Sequence, residues 1–196
     1  MPGVICKISL NSKRRLDKRN AIQALFLAGI GLFFSPLSLA ESEVKIAEKN
    51  KLSSLCDTGD LIFFTCTTKN KKIISLCGKG TEDNPTGIYY RFGSKGKVEM
   101  DFPEDKGENS FEQFSKDYYF RYKVDLQNFV FHNNGYLYSL YDSYRGDEPE
   151  KGDTYDRGIS VSEKGSGKVL ANIKCNSGYY AANFPVLNER LKNYGE

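Results

Sequence analysis

The sequence predicts an all-β protein: a small antiparallel barrel or sandwich of about eight strands, held by two disulfides, behind a cleaved N-terminal signal helix. Three observations lead there. Short runs rich in aromatic and branched residues recur after residue 60, separated by Gly, Asn and Pro turn signals. The body of the chain carries no sustained 3.6-residue apolar period. Four cysteines, an even number, remain once a basic and apolar N-terminal segment is set aside.

That segment is read as residues 1–40. Lys7, Lys13, Arg14, Arg15, Lys18 and Arg19 face only Asp17, an apolar run follows from Ala21 to Phe34, and Ser38-Leu39-Ala40 supplies a small-residue cleavage site before Glu41. The run is shorter than the roughly 20 residues a spanning helix needs, so no membrane span is expected after cleavage. The whole chain has 28 Lys+Arg against 25 Asp+Glu, but residues 41–196 have 22 against 24. The basic excess therefore belongs to the signal, and no basic face for nucleic acid is expected.

Residues 41–55, with Lys45, Glu48, Lys49 and Lys51, read as a flexible lead-in to a β domain at 56–178. Leu61 to Cys66 and Ile73 to Cys77 read as the first two strands, joined by the polar turn at 69–72. Ile88 to Phe92 follows the Gly78–Gly80 and Asn84-Pro85 breaks. Val98, Met100 and Phe102 alternate with Lys97, Glu99 and Asp101, the pattern of a half-buried strand. Residues 103–117 are polar and read as a long loop with a helical turn near Phe111. Tyr118–Val124 and Phe129–Phe131 are strand-like. Asn134-Gly135 marks a tight hairpin into Tyr136–Tyr141. Residues 142–157 read as an acidic loop, Ile159–Val161 as a short strand, and Val169, Ala171, Ile173 and Cys175 as the buried face of the last one. The tail at 179–196 carries a short amphipathic helical turn after Pro185.

Cys6 leaves with the signal. Cys56, Cys66, Cys77 and Cys175 allow three pairings. Cys66–Cys175 with Cys56–Cys77 is favoured. It ties the first strand to the last, and closing so long a loop stabilises by about 4–5 kcal/mol. The rival Cys66–Cys77 would cross-link a single hairpin. No close Cys pair of the kind structural zinc uses is present, so no metal is expected.

Little in the sequence signals catalysis. His132 is the one imidazole and lies beside the hairpin turn. There is no nucleophile elbow, and Gly165-Ser166-Gly167-Lys168 is out of register for a phosphate-binding loop. Glu99, Asp101, Asp125 and Asp142 could supply a carboxylate pair, but nothing in the sequence singles one out. The expectation is no enzyme, no catalytic residues and no cofactor. Tyr136 and Tyr138 share a strand face, Tyr144 follows, and tyrosine is favoured at recognition surfaces. The expected binding residues are Tyr136, Tyr138, Tyr144, Arg145 and Asp147.

Phe64-Thr65-Cys66, Lys72–Cys77, Tyr90-Arg91-Phe92-Gly93 and Glu99 resemble a group of uncharacterised exported proteins of Gram-negative bacteria, a likeness that spans about residues 56–175 and implies no activity. A fainter architectural likeness is to the membrane-bound and periplasmic inhibitors of C-type lysozyme. Like them, the chain carries an aromatic-x-Cys strand at Phe64-Thr65-Cys66 and a late Cys175. Asn134-Gly135-Tyr136-Leu137-Tyr138 leads to Arg145-Gly146-Asp147-Glu148, where the resemblance implies a basic residue entering the lysozyme cleft. The family's Ser-Gly-x-x-Tyr loop has no counterpart at 115–134. The function expected is therefore a non-enzymatic binding protein, periplasmic or secreted, acting on a protein or cell-envelope partner. The alternative is a lysozyme inhibitor working through the 142–148 loop.

Overall fold

The computed structural model describes residues 53–196. The expected signal segment and residues 41–52 of the lead-in lie outside the described residues. The strands are β1 (Leu61–Thr68), β2 (Ile73–Gly80), β3 (Pro85–Ser94), β4 (Lys97–Phe102), β5 (Phe114–Arg121), β6 (Val124–Asn133), β7 (Tyr136–Arg145), β8 (Thr154–Glu163), β9 (Val169–Ala181) and the two-residue β10 (Lys192–Asn193). A 3-10 turn (Glu108–Gln113) precedes β5, and helix α1 (Phe184–Arg190) precedes β10. All ten strands form one sheet in the order β10-β5-β6-β7-β8-β9-β1-β2-β3-β4. Pairing is antiparallel except between β10 and β5.

Several expectations are refined. The strands number ten rather than eight, and of the two expected architectures, barrel and sandwich, the chain takes a single curled half-barrel sheet. The run 118–124 straddles two strands. The chain reverses at Tyr122-Lys123, where Lys123 takes φ 59° with no Gly or Asn to announce the turn. β10 has no local pattern of its own. It exists because α1 docks and lays the next residues beside β5, with Tyr194 N–H donating to the Lys116 carbonyl at 2.7 Å. The expected acidic loop at 142–157 is half strand: β7 runs to Arg145 and β8 begins at Thr154, paired residue for residue from Arg145↔Thr154 to Asp142↔Arg157.

The curl brings the two ends of the sheet together through aromatic side chains. Phe131 on β6 is 2% exposed. Its ring centroid lies 4.8 Å from Phe102 on β4, 4.9 Å from Tyr138, and 5.1 Å from Tyr90 and from Phe114. Phe129 meets Phe184 at 5.0 Å, and Leu187 of α1 is fully buried, so the helix fills the concave face beside β6.

β1 and β2 are buried on both faces, which explains their nearly continuous apolar runs. Residues 53–57 cover the convex side. Thr65 Oγ1 donates to the Ser53 carbonyl at 2.9 Å, and Leu55 N–H donates to Ser75 Oγ at 3.0 Å. The disulfide Cys56–Cys77 pins this segment, and Cys66–Cys175 joins β1 to β9. Arg91 binds Asp57 and the Leu55 carbonyl, and its guanidinium lies 4.9 Å from the buried Tyr89 ring. The hydrogen bond from Arg91 holds the Asp57 carboxyl below its ordinary range.

Gly87 lets β3 pass close under the 103–107 loop. A Cβ there would sit 1.9 Å from the Lys106 carbonyl oxygen, a backbone atom that cannot swing away. Gly87→Ala is expected to destabilise by about 1–3 kcal/mol, read as a lower urea midpoint with unchanged slope.

Candidate functional site

Side chains alternate along each strand, so residues 125, 127, 129 and 131 of β6 share the concave face with even-numbered residues of β7 and odd-numbered residues of β8. Over most of that face the cross-strand rows are apolar, as at Phe129↔Leu140↔Ile159. Toward the β5–β6 turn two successive rows become polar: Gln127↔Asp142↔Arg157 and Asp125↔Tyr144↔Tyr155. With Tyr179 from β9 and Phe184 from α1, members of these rows line a recess of about 200 Å³.

The recess is built around Arg157. Its Nε donates to Asp142 Oδ1 at 2.8 Å, and its guanidinium lies 3.8 Å from the Tyr179 ring centroid and 4.7 Å from that of Tyr155. Tyr179 donates its hydroxyl to the other oxygen of Asp142. Burial, and then this bond to a carboxylate, push the Tyr179 hydroxyl well above its ordinary range. Tyr144 packs on Tyr155 at 5.1 Å and donates to Asp153 Oδ1 at 3.3 Å. On the α1 side Gln127 and Asn188 exchange two amide hydrogen bonds, at 3.0 and 2.8 Å. The Asp125 carboxyl is pushed up by burial and further by the charge of Asp142.

The branching of β9 opens the site further. β9 pairs with β8 only as far as Gly158↔Lys174, then crosses to β1 at Thr68↔Cys175. The Cys66–Cys175 bond sits at this divergence. Arg157 and Tyr155 are thus left without a backbone pairing to β9, and a groove of about 380 Å³ runs from them along Lys174–Gly178. Recess and groove share Arg157 and Tyr179.

Asp125 provides a pH test. Its folded pKa is raised, so the ionised carboxylate opposes folding above that pKa. The opposition fades as pH falls through the folded pKa and is gone below the ordinary carboxylate value. Asp125→Asn is therefore expected to raise the thermal midpoint at pH 7, with the gain vanishing below about pH 4.

Of the five expected binding residues, only Tyr144 lines the recess. Tyr136 and Tyr138 share its face of β7, but at roughly 3.3 Å per residue Tyr136 is about 26 Å away. Tyr138 stacks on Phe131 as part of the core, while Tyr136 is 40% exposed at the far end of the strand. Arg145 falls on the opposite face of the sheet and is exposed. Asp147 follows in the 146–153 loop, bound to Arg121, and that hydrogen bond holds its carboxyl below the ordinary range. Gln127, Tyr155, Arg157 and Tyr179 are the site residues that sequence reasoning missed. Asp125 and Asp142 were visible only as two carboxylates among many. The available signal was the period-2 row Tyr136, Tyr138, Leu140, Asp142, Tyr144, which continues unbroken through the point where a loop was expected to begin.

Among the described residues, no group of three or more His, Cys, Asp or Glu side chains is placed to hold a metal ion, and no helix is long and apolar enough to cross a membrane. Comparison of the chain with family models, with curated proteins and with solved structures found no match.

Proposed function

We propose that this chain is an exported binding protein of the bacterial periplasm or the secreted space, acting without turnover, and that the recess at Arg157 takes a hydroxyl-rich ligand, a saccharide of the cell envelope. One observation carries the ligand class. Two tyrosine rings flank a guanidinium, with a carboxylate and an amide in its own row and a second carboxylate in the next. Sugars offer flat CH faces to such rings and hydroxyls to such acceptors. The two disulfides and the basic-then-apolar N-terminal segment support export. Binding rather than turnover fits the engagement of both Asp142 oxygens, one by Arg157 and one by Tyr179.

The test is calorimetric titration with N-acetylglucosamine oligomers, peptidoglycan fragments and lipopolysaccharide core oligosaccharides. The expected result is saturable one-to-one binding. Tyr155→Ala or Arg157→Ala should weaken it at least about tenfold, a loss of about 1.4 kcal/mol, while Arg145→Ala leaves it unchanged. No binding to any of these would overturn the ligand class. Hydrolysis that disappears in Asp125→Asn would overturn the non-enzymatic reading.

A second reading, inhibition of lysozyme through 142–148, rests on Arg145. It stands exposed at the end of β7, and the loop after it is anchored by the 2.7 Å bond from Gly146 N–H to the Lys123 carbonyl. Inhibition of a C-type lysozyme that Arg145→Ala abolishes would establish that reading.

A further inference from the structure

We infer that β5 pairs with β5 of a second copy of this chain, giving a twofold-symmetric dimer joined edge to edge. β5 is bonded to β6 along its whole length. On its other side, among the described residues, only Ser115 and Lys116 are paired, with Lys192 and Asn193. The bond from Tyr194 N–H to the Lys116 carbonyl shows that Lys116 points its backbone groups outward. Alternation then points those of Tyr118 and Phe120 outward as well, where no backbone partner meets them among the described residues. Tyr118, Tyr119 and Phe120 are 46%, 51% and 66% exposed, and Tyr122 at the turn is 82% exposed. Edges of soluble sheets are ordinarily blunted by lysine, proline or a bulge. This one presents three aromatic residues in succession.

The sequence of the edge identifies its occupant, because Asp117-Tyr118-Tyr119-Phe120-Arg121 is complementary to itself when reversed. An antiparallel pair centred on Tyr119 sets Tyr118 opposite Phe120 in both directions. Both residues point outward, so the four N–H and four C=O groups left open on the two copies are all used. The same register sets Asp117 opposite Arg121 twice, and opposite charges directly across a sheet attract. Arg121 spends Nη2 on Asp147 of its own chain and carries further guanidinium donors for the second copy. The contact is isologous and therefore closed, which ends association at two copies. Because Phe120 lies across from Asp125 on β6, pairing would place the recesses of both copies on one continuous sheet.

The test is sedimentation equilibrium of the exported, disulfide-bonded chain, with amide hydrogen exchange at Tyr118 and Phe120. The expected result is a concentration-dependent dimer in which those two amides gain protection as the concentration rises. Asp117→Arg and Arg121→Asp should each dimerise at least about tenfold more weakly. An equimolar mixture of the two variants should associate again, since every facing pair is then oppositely charged. That rescue separates a lost contact from a damaged hairpin. A chain that stays monomeric at every concentration would overturn the inference, as would a dimer that both variants leave unchanged.

Discussion

Replacing Cys66 and Cys175 together by alanine is expected to lower stability by about 4–5 kcal/mol. The bond closes a separation of 109 residues, spanning almost every strand of the sheet. Its loss frees the unfolded chain far more than it disturbs packing, since alanine fills most of the cysteine site. It also removes the tie at the place where β9 crosses from β8 to β1. Replacing Cys56 and Cys77, separated by 21 residues, should cost about 3 kcal/mol on the same argument. Urea denaturation of the two double variants at neutral pH reads both values. Equal losses would show that chain closure is not the dominant contribution.

Phe131→Ala is expected to destabilise by about 3–5 kcal/mol. Its ring is the common partner of Tyr90, Phe102, Phe114 and Tyr138, drawn from β3, β4, β5 and β7. Among the described residues, no other side chain joins the far edge strand β4 to the β5–β7 sector through so many rings, and β4 and β5 are not neighbours in the ladder. Truncation therefore leaves a cavity at the seam where the sheet curls back on itself. Hydrogen exchange in β4 should quicken more than exchange in β8, in addition to the lower denaturation midpoint. Phe131→Leu, which keeps most of the volume, should cost appreciably less.

What could be read from the sequence follows from where local chemistry decides the structure. β1 through β4 were legible because their apolar runs and their Gly-rich or polar turns agree. The Asn134-Gly135 hairpin was legible because that dipeptide tolerates the required left-handed backbone, seen here as φ 48° and 82°. The β5–β6 turn was hidden because a lysine occupies its left-handed position. β10 was hidden because its pairing depends on the docking of α1 and not on its own two residues. The site was obscured for a related reason. Alternation identifies strands by apolar residues facing polar ones, and around Asp142 and Arg157 the inward face itself becomes polar. A segment that lines such a recess therefore has the composition of a loop. Tyr179 and Arg157 come together only because β9 changes partners, a feature set by the whole sheet.

The proposed ligand site is the recess around Arg157. Amide chemical shifts followed by NMR during titration with the tightest-binding glycan of the panel test it most directly. Perturbations are expected to concentrate at Asp125, Gln127, Asp142, Tyr144, Tyr155, Arg157 and Tyr179, with Tyr136 and Arg145 unmoved. Shifts confined to Arg145–Glu148, or spread over Tyr136 and Tyr138 with the Arg157 row silent, would contradict it.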